Sequence, residues 1–250
     1  FSYTGASPAL MGACAQRNIS LSFCTPRGKF LARISGETSG NVLLRRMQYR
    51  IADDPVQSCL ISRSMIFGKV YNTRWSIERT RRDHGLRVNG DALVGASQIL
   101  KDLLPLINSE TSLDSLRGLE GAGATAYFRA LDSMILANKE TFSFQGRTRR
   151  PPLDPFNALL SFAYSLLAND CASALESVGL DSYVGFLHRD RPGRISLALD
   201  LMEELRPCLA DRFVLTLINT RVLNSSDFQY RESGTVLLTD NARRIFLQAW

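Results

Sequence analysis

The segment that decides the fold is Asp154-Pro155-Phe156-Asn157-Ala158-Leu159-Leu160-Ser161-Phe162-Ala163-Tyr164-Ser165-Leu166-Leu167-Ala168. It reads as the start of a helix running from Pro155 to Glu176, apolar enough to lie at the centre of a helical domain. Its longest apolar stretch, Ala158 to Ala168, is about half a membrane span and is broken by Ser. The expectation is therefore a soluble chain with no membrane partner.

Working outward, Thr141 to Pro152 is basic and ends in a double Pro, which predicts a loop. Downstream, Gly185 to Arg194 reads as a Gly- and Arg-containing loop and Ser196 to Arg206 as a helix. Asp211 to Val222 is helical in pattern, Phe228–Tyr230 and Val236–Thr239 form a small hairpin, and Asp240 to Trp250 begins a last helix. Upstream, apolar residues at helical spacing cover 41–52 and 55–83, with Pro55 as the break, then 91–107 and 112–138. Near the start, Pro8 to Arg17 is a short helix, and Asn18 to Phe23 alternates polar and apolar as a half-buried strand does. Pro26-Arg27-Gly28 is a turn, Phe30 to Ile34 a returning strand, and Ser35 to Gly40 a polar linker. The fold class is α+β, mainly α. Residues 1–38 are the end of an N-terminal β domain, and 39–250 are a large all-helical domain with a small hairpin near the C-terminus. The chain opens on Phe1 and ends on Trp250 inside a helical run, so it reads as part of a longer one.

The net charge is +6, carried by 26 Arg and only 4 Lys. Arg presents a planar fork that grips phosphate oxygens in pairs, which suits a polyanionic partner. GC-rich codon usage also favours Arg, and composition alone does not separate the two. The five Cys contain no CxxC pair and are odd in number. This argues against a disulfide framework or a zinc knuckle, and for thiols packed as core in a reducing cytoplasm.

Only two His are present. His84 follows Arg79, Arg81 and Arg82, where a cation suits a helix C-terminus. His188 lies where an apolar run meets a polar loop, a place for a metal ligand or for a satisfied, half-buried imidazole. On the helix from Ser196, about 100° per residue puts Asp200, Glu203 and Glu204 in one strip roughly 100° wide, with apolar residues elsewhere. Such a strip is either a solvated face or the lining of a cleft that needs a cation. Glu120 sits among Gly118, Gly121 and Gly123 in a helical pattern. Each interior Gly costs about 1 kcal/mol against Ala, so the reading is a close helix crossing, with Glu120 either partnered there or turned to water. A His and carboxylates from separate segments can bind Mg²⁺ or Mn²⁺, and such an ion beside Arg clusters serves phosphodiester chemistry.

Several segments resemble, in order, the CRISPR-associated adaptation integrase family, that of the first-numbered Cas protein. They are Gly68-Lys69-Val70-Tyr71-Asn72-Thr73-Arg74, Gly118-Leu119-Glu120-Gly121, Asp154 to Leu160 with Tyr164, Gly185-Phe186-Leu187-His188, and Leu199 to Pro207. The wording of Ser7–Gly12 and Gly40–Arg46 is similar to subtype I-C members. The resemblance implies a catalytic helical domain in which Glu120, His188 and Glu203 hold Mg²⁺ or Mn²⁺. Asp200 is the second acid, orienting a ligand or water, and Asn157 is a polar residue beside the site. It implies a prokaryotic, cytoplasmic homodimer working with the small second-numbered Cas protein. Its substrates are double-stranded DNA with 3′ overhangs and CRISPR repeat DNA. Arg147, Arg149 and Arg150 are expected to form a flexible basic loop touching DNA, and Arg189, Arg191 and Arg194 to grip phosphate near His188. Lys69 and Arg74 contact DNA or form structural salt bridges. Tyr164 belongs to the core or stacks a base. Two other classes are a metal-dependent nuclease without integration and an Arg-rich DNA-binding module without catalysis.

Overall fold

The computed structural model describes residues 5–17, 19, 21–25, 30–34, 36 and 42–250. The expected turn at 26–28, and the linker at 35–40 apart from Gly36, lie outside them. Helix α1 (Pro8–Gln16) leads into β1 (Leu21–Cys24), which pairs antiparallel with β2 (Phe30–Ile34), Leu21 opposite Ile34. Then come α2 (Val42–Asp53), α3 (Pro55–His84), α4 (Gly90–Ser109), α5 (Leu113–Leu131), the short α6 (Lys139–Phe142) and α7 (Pro155–Ser177). After a long loop follow α8 (Ser196–Leu205), a π-helical turn (Arg206–Asp211) and α9 (Arg212–Asn219). The hairpin β3–β4 (Phe228–Tyr230, Val236–Leu238) and α10 (Asp240–Ala249) complete the order. The molecule is mainly α with a small β portion.

The helix starts are chemically marked. Asp54 accepts hydrogen bonds from Val56 N and Gln57 N with Pro55 in the first turn, and Asp154 accepts from Asn157 N with Pro155 in the same place. A capping carboxylate satisfies otherwise orphaned N–H groups, and Pro at the first position loses none. Helix α7 is central: Phe156, Leu159, Leu160, Ala163 and Ala172 are fully buried, and it packs on α8, α9 and β4. It is long and apolar enough to cross a membrane by length and composition, but half of that span is buried within this fold. Helices α3, α4 and α5 pack against one another, and α8 lies between α3 and α7. The hairpin β1–β2 is tied to α7 through Arg33, which donates to Ser173 Oγ at 3.0 Å and pairs with Glu176 at 2.7 Å.

One predicted helix ends early. The 112–138 pattern stops as α-helix at Leu131, gives one 3₁₀ turn (Asp132–Met134) and then extends. Asp132 accepts from Phe144 N at 2.8 Å, while Asn219 accepts from Leu136 N at 2.7 Å and donates to Met134 O at 3.0 Å. These side chains offer the backbone partners outside the helix ladder. The 211–222 helix also starts differently, because Pro207 lacks an N–H and the chain widens to π spacing before Arg212.

The aromatic packing under α7 gives a direct check. Phe156 is fully buried, its ring 5.3 Å from that of Phe144. Phe156→Ala is expected to cost about 3–5 kcal/mol, read as a lower urea midpoint with the slope unchanged.

Candidate active site

Asp200 on α8 organises the site. Its side chain is completely buried. Oδ2 accepts from Phe186 N at 2.6 Å and Leu187 N at 2.9 Å, while Oδ1 accepts from His188 N at 3.0 Å. Oδ1 also meets His188 Nδ1 at 2.5 Å. A carboxylate that already accepts three backbone N–H groups is an acceptor, so Nδ1 donates and Nε2 is the ring nitrogen left for another partner. Gly185 makes the wrap possible. A Cβ there would lie 2.8 Å from Asp200 Oδ2 and 2.9 Å from the backbone carbon of Ser196.

The second acid of the strip is Glu203, also buried. Its Oε1 pairs with Arg206 at 3.1 Å, and its Oε2 lies 2.6 Å from Lys69 Nζ without hydrogen-bond geometry. Lys69 on α3 also pairs with Glu120 on α5. Burial pushes the Glu203 carboxyl up, but Arg206 and Lys69 outweigh it and leave its pKa below the ordinary value. The third acid, Glu204, packs against Gly68, where a Cβ would come within 2.9 Å of its Oε2. Asn72 donates to Glu204 O at 2.8 Å and so ties α3 to the end of α8.

Glu120, His188 and Glu203 thus line one open pocket of about 620 Å³, together with Arg117, Leu187, Arg189, Asp190, Arg191 and Arg194. Asp200 stands behind His188 and orients it. Among the described residues, no three His, Cys, Asp or Glu side chains are gathered at metal-holding distance. The donor set nevertheless fits Mg²⁺ or Mn²⁺. Two carboxylates and one imidazole line one pocket, and the buried Glu203 Oε2, beside Lys69 Nζ, makes no hydrogen bond.

The glycines around Glu120 require a correction. A Cβ at Gly118 or Gly121 would meet nothing within 4 Å, so no close crossing occurs there. Of the three, Gly123 alone has neighbours, with Val70, Leu103 and Leu100 at ordinary van der Waals distance from where a Cβ would lie. The first two leave the helix face open beside the pocket.

The expected basic loop divides. Arg147 turns inward, donating to Asn157 Oδ1 at 2.7 Å and Ser161 Oγ at 3.1 Å, and lies over the Tyr164 ring. It is a structural group, not a free DNA contact. Arg149 and Arg150 are exposed. Asn157 is fully buried and holds Gly146 O, Thr148 N and Arg147, so it shapes the loop without reaching the pocket. Arg74 lies over Trp75 and does not line the pocket. Arg189 and Arg191 are exposed and Arg194 half-buried at the pocket wall.

Sequence reasoning missed Arg117 and Arg206. Arg117 donates to Leu187 O at 3.0 Å through Nε and pairs with Asp114 at 2.6 Å, tying the His188 loop to α5. Arg206 carries Glu203 and lies over Tyr164. Its position three residues beyond Glu203 was the available signal. Tyr164 is a core residue whose hydroxyl donates to Asp211 at 2.6 Å. Burial raises Asp211 to about 6, against the opposing hydrogen bond from Tyr164. Cys14, Cys59, Cys171 and Cys208 are free thiols.

The entire chain, residues 1–250, matches the family model described as CRISPR associated protein Cas1. The chain belongs to the Cas1 family. A Rhodospirillum rubrum relative, CRISPR-associated endonuclease Cas1 2, is 50% identical over 100% of this chain and 73% of its own length. A Chlorobaculum tepidum Cas1 endonuclease is 44% identical with the same coverage. Among solved structures, a casposase bound to integration product superposes with a TM-score of 0.79 at 26% identity, covering 97% of this chain and 66% of that one. A Cas1 protein from Thermotoga maritima has the same fold, with a TM-score of 0.79 at 24% identity over 98% of this chain and 74% of that one.

Two outcomes test this geometry. Gly185→Ala should destabilise the protein by about 1–3 kcal/mol and shift the His188 ring resonances in NMR. Asp211 binds its proton more tightly folded than unfolded, so the stability it contributes is full below about pH 4 and is lost as pH rises through about 6. In urea titrations, the stability of the wild type relative to Asp211→Asn should fall by roughly 3 kcal/mol across that window. A constant difference would contradict the assignment.

Proposed function

We propose that this Cas1 chain is a metal-dependent DNA integrase and endonuclease of CRISPR adaptation. The observation that carries this is the one pocket lined by Glu120 of α5, His188 of the 178–195 loop and Glu203 of α8 together with Arg117, Arg189, Arg191 and Arg194. A negative interior with a cationic rim suits a phosphodiester, whose oxygens the guanidinium forks pair with. The likeness to a casposase bound to integration product, and the relatives' description as endonucleases, support the same reading.

Glu120, Glu203 and the Nε2 of His188 would hold Mg²⁺ or Mn²⁺. The chemistry such an ion supplies is Lewis acidity at the target phosphate and a lowered pKa of the attacking hydroxyl. The chain's own residues do the rest. Asp200 fixes the His188 ring and its tautomer, a role in which loss of the supporting group typically costs 10–100-fold. Arg117 keeps the 187–188 backbone against α5. Arg189, Arg191 and Arg194 bind and align the DNA backbone. In the joining reaction, a spacer precursor's 3′-oxygen forms the new bond to phosphorus as the target's P–O3′ bond breaks. The attacking hydroxyl loses a proton and the departing 3′-oxygen gains one. Water as nucleophile gives cleavage instead.

The finer reading follows the family. The DNA has 3′ overhangs, the target is the CRISPR repeat, and the wording at 7–12 and 40–46 fits subtype I-C. The enzyme acts as a homodimer with the second-numbered Cas protein in the prokaryotic cytoplasm. A partial Cas6-RT-Cas1–Cas2 complex among the similar structures supports that partner, with a TM-score of 0.74 at 26% identity over 96% of this chain and 71% of that one.

Glu120→Gln and His188→Ala should each reduce joining of a 3′-OH duplex to supercoiled plasmid by at least about 100-fold, while DNA affinity changes little. EDTA should do the same. Joining that survives both substitutions would remove these residues from the reaction; DNA binding with neither joining nor cleavage in the wild type would leave a binding module, and cleavage without joining a general nuclease. Replacing Arg189, Arg191 and Arg194 together should flatten the slope of log affinity against log salt by about two to three.

A further inference from the structure

Lys69 is the group between the two carboxylates. It projects from α3 toward Glu120 on α5 and Glu203 on α8, pairing with both, the second contact at 2.6 Å. Its side chain is 12% exposed, so little solvent shares its charge. Among the described residues no other cation pairs with both acids: Arg206 pairs with Glu203 through Oε1, the other oxygen of that carboxylate. The inner site therefore balances as it stands, two carboxylates against one ammonium and one guanidinium.

That balance changes when a divalent cation binds the same oxygens. A doubly charged ion and an ammonium on shared carboxylates repel strongly in a partly buried setting. Glu203 Oε2, aimed at Lys69 without hydrogen-bond geometry, is the weaker of the ammonium's two attachments. A place for a displaced ammonium exists. A small cavity of about 50 Å³ is lined by Lys69, Glu120, Arg149, Tyr164, Arg206 and Asp211, and Glu120 also lines the main pocket. The carboxylate of Asp211 offers the displaced ammonium a counter-charge there.

Resting on the ligand reading above, we propose that Lys69 is the resident counter-cation of the metal-free site. It holds Glu120 and Glu203 together until a divalent ion takes its place, and must withdraw for that ion to bind. Lys69 is then a positioning residue that competes with the metal. Only the fraction of molecules with Lys69 withdrawn is competent, so the apparent affinity for the ion is reduced by that fraction. The device keeps the inner oxygen of the buried Glu203, which Arg206 does not reach, facing a cation before the ion arrives.

The test uses the metal alone. EDTA-stripped wild type, Lys69→Met and Glu120→Gln are titrated with Mn²⁺ by calorimetry and melted with and without Mn²⁺. Lys69→Met should bind Mn²⁺ at least about tenfold more tightly than wild type. It should melt lower in EDTA and gain more on adding Mn²⁺. A folded Lys69→Met whose Mn²⁺ affinity is unchanged or weaker overturns the proposal. If Glu120→Gln has meanwhile lost binding, the ligand reading still stands. Failure of wild type and Lys69→Met alike to bind Mn²⁺ overturns the ligand reading and this inference with it. Should Lys69→Met unfold in EDTA, Lys69→Gln decides by the same comparison: tighter Mn²⁺ binding supports the competition, and equal binding removes it.

Discussion

The carboxylate of Asp200 is the constraint on which the site depends. One buried side chain accepts three consecutive backbone N–H groups and an imidazole N–H. A fully buried acid is tolerated when its lone pairs are used this completely. The energetic requirement of the acid thus becomes a geometric one for the loop. The 186–188 backbone must curl around the carboxylate, and Gly185 is there because a Cβ would strike both the carboxylate and α8. His188 is oriented as a consequence.

A second balance is set by charge. Glu120 and Glu203 come from helices that meet on α3, and Lys69 and Arg206 compensate them. The rim is built from Arg side chains whose carbonyl and carboxylate partners are few. Arg189 has a distant partner in Asp114 at 3.3 Å, while Arg117 is fully engaged at Leu187 O. Charges satisfied inside and cations left available outside are the pattern of a site that binds a polyanion at its mouth.

Much of this was legible in order along the chain. The helix starts at Pro55 and Pro155, the terminal hairpin and the acid strip of α8 follow from spacing and capping chemistry that act within a few residues. The segments carrying Glu120, His188 and Asp200 were legible through resemblance. Other features were not. Arg147 and Arg149 are two residues apart in one basic run, yet one is half-buried over Tyr164 and the other exposed. Their difference arises from Asn157 and Ser161 on α7, which no local pattern reports. The 112–138 helix breaks because Asn219, more than eighty residues away, takes its backbone groups.

The sequence by itself determined the helical class, the family and which side chains carry titratable chemistry, because periodicity, capping and motif order are properties of neighbouring residues. Only the tertiary structure decided the roles. Three acids on one helix strip look alike in sequence. The packing of α8 between α3 and α7 buries Asp200 behind His188, pairs Glu203 with Lys69 and Arg206, and presses Glu204 against Gly68. Each carboxylate's function is set by what desolvates it and what cation or N–H faces it, and those partners come from elements far apart in the chain.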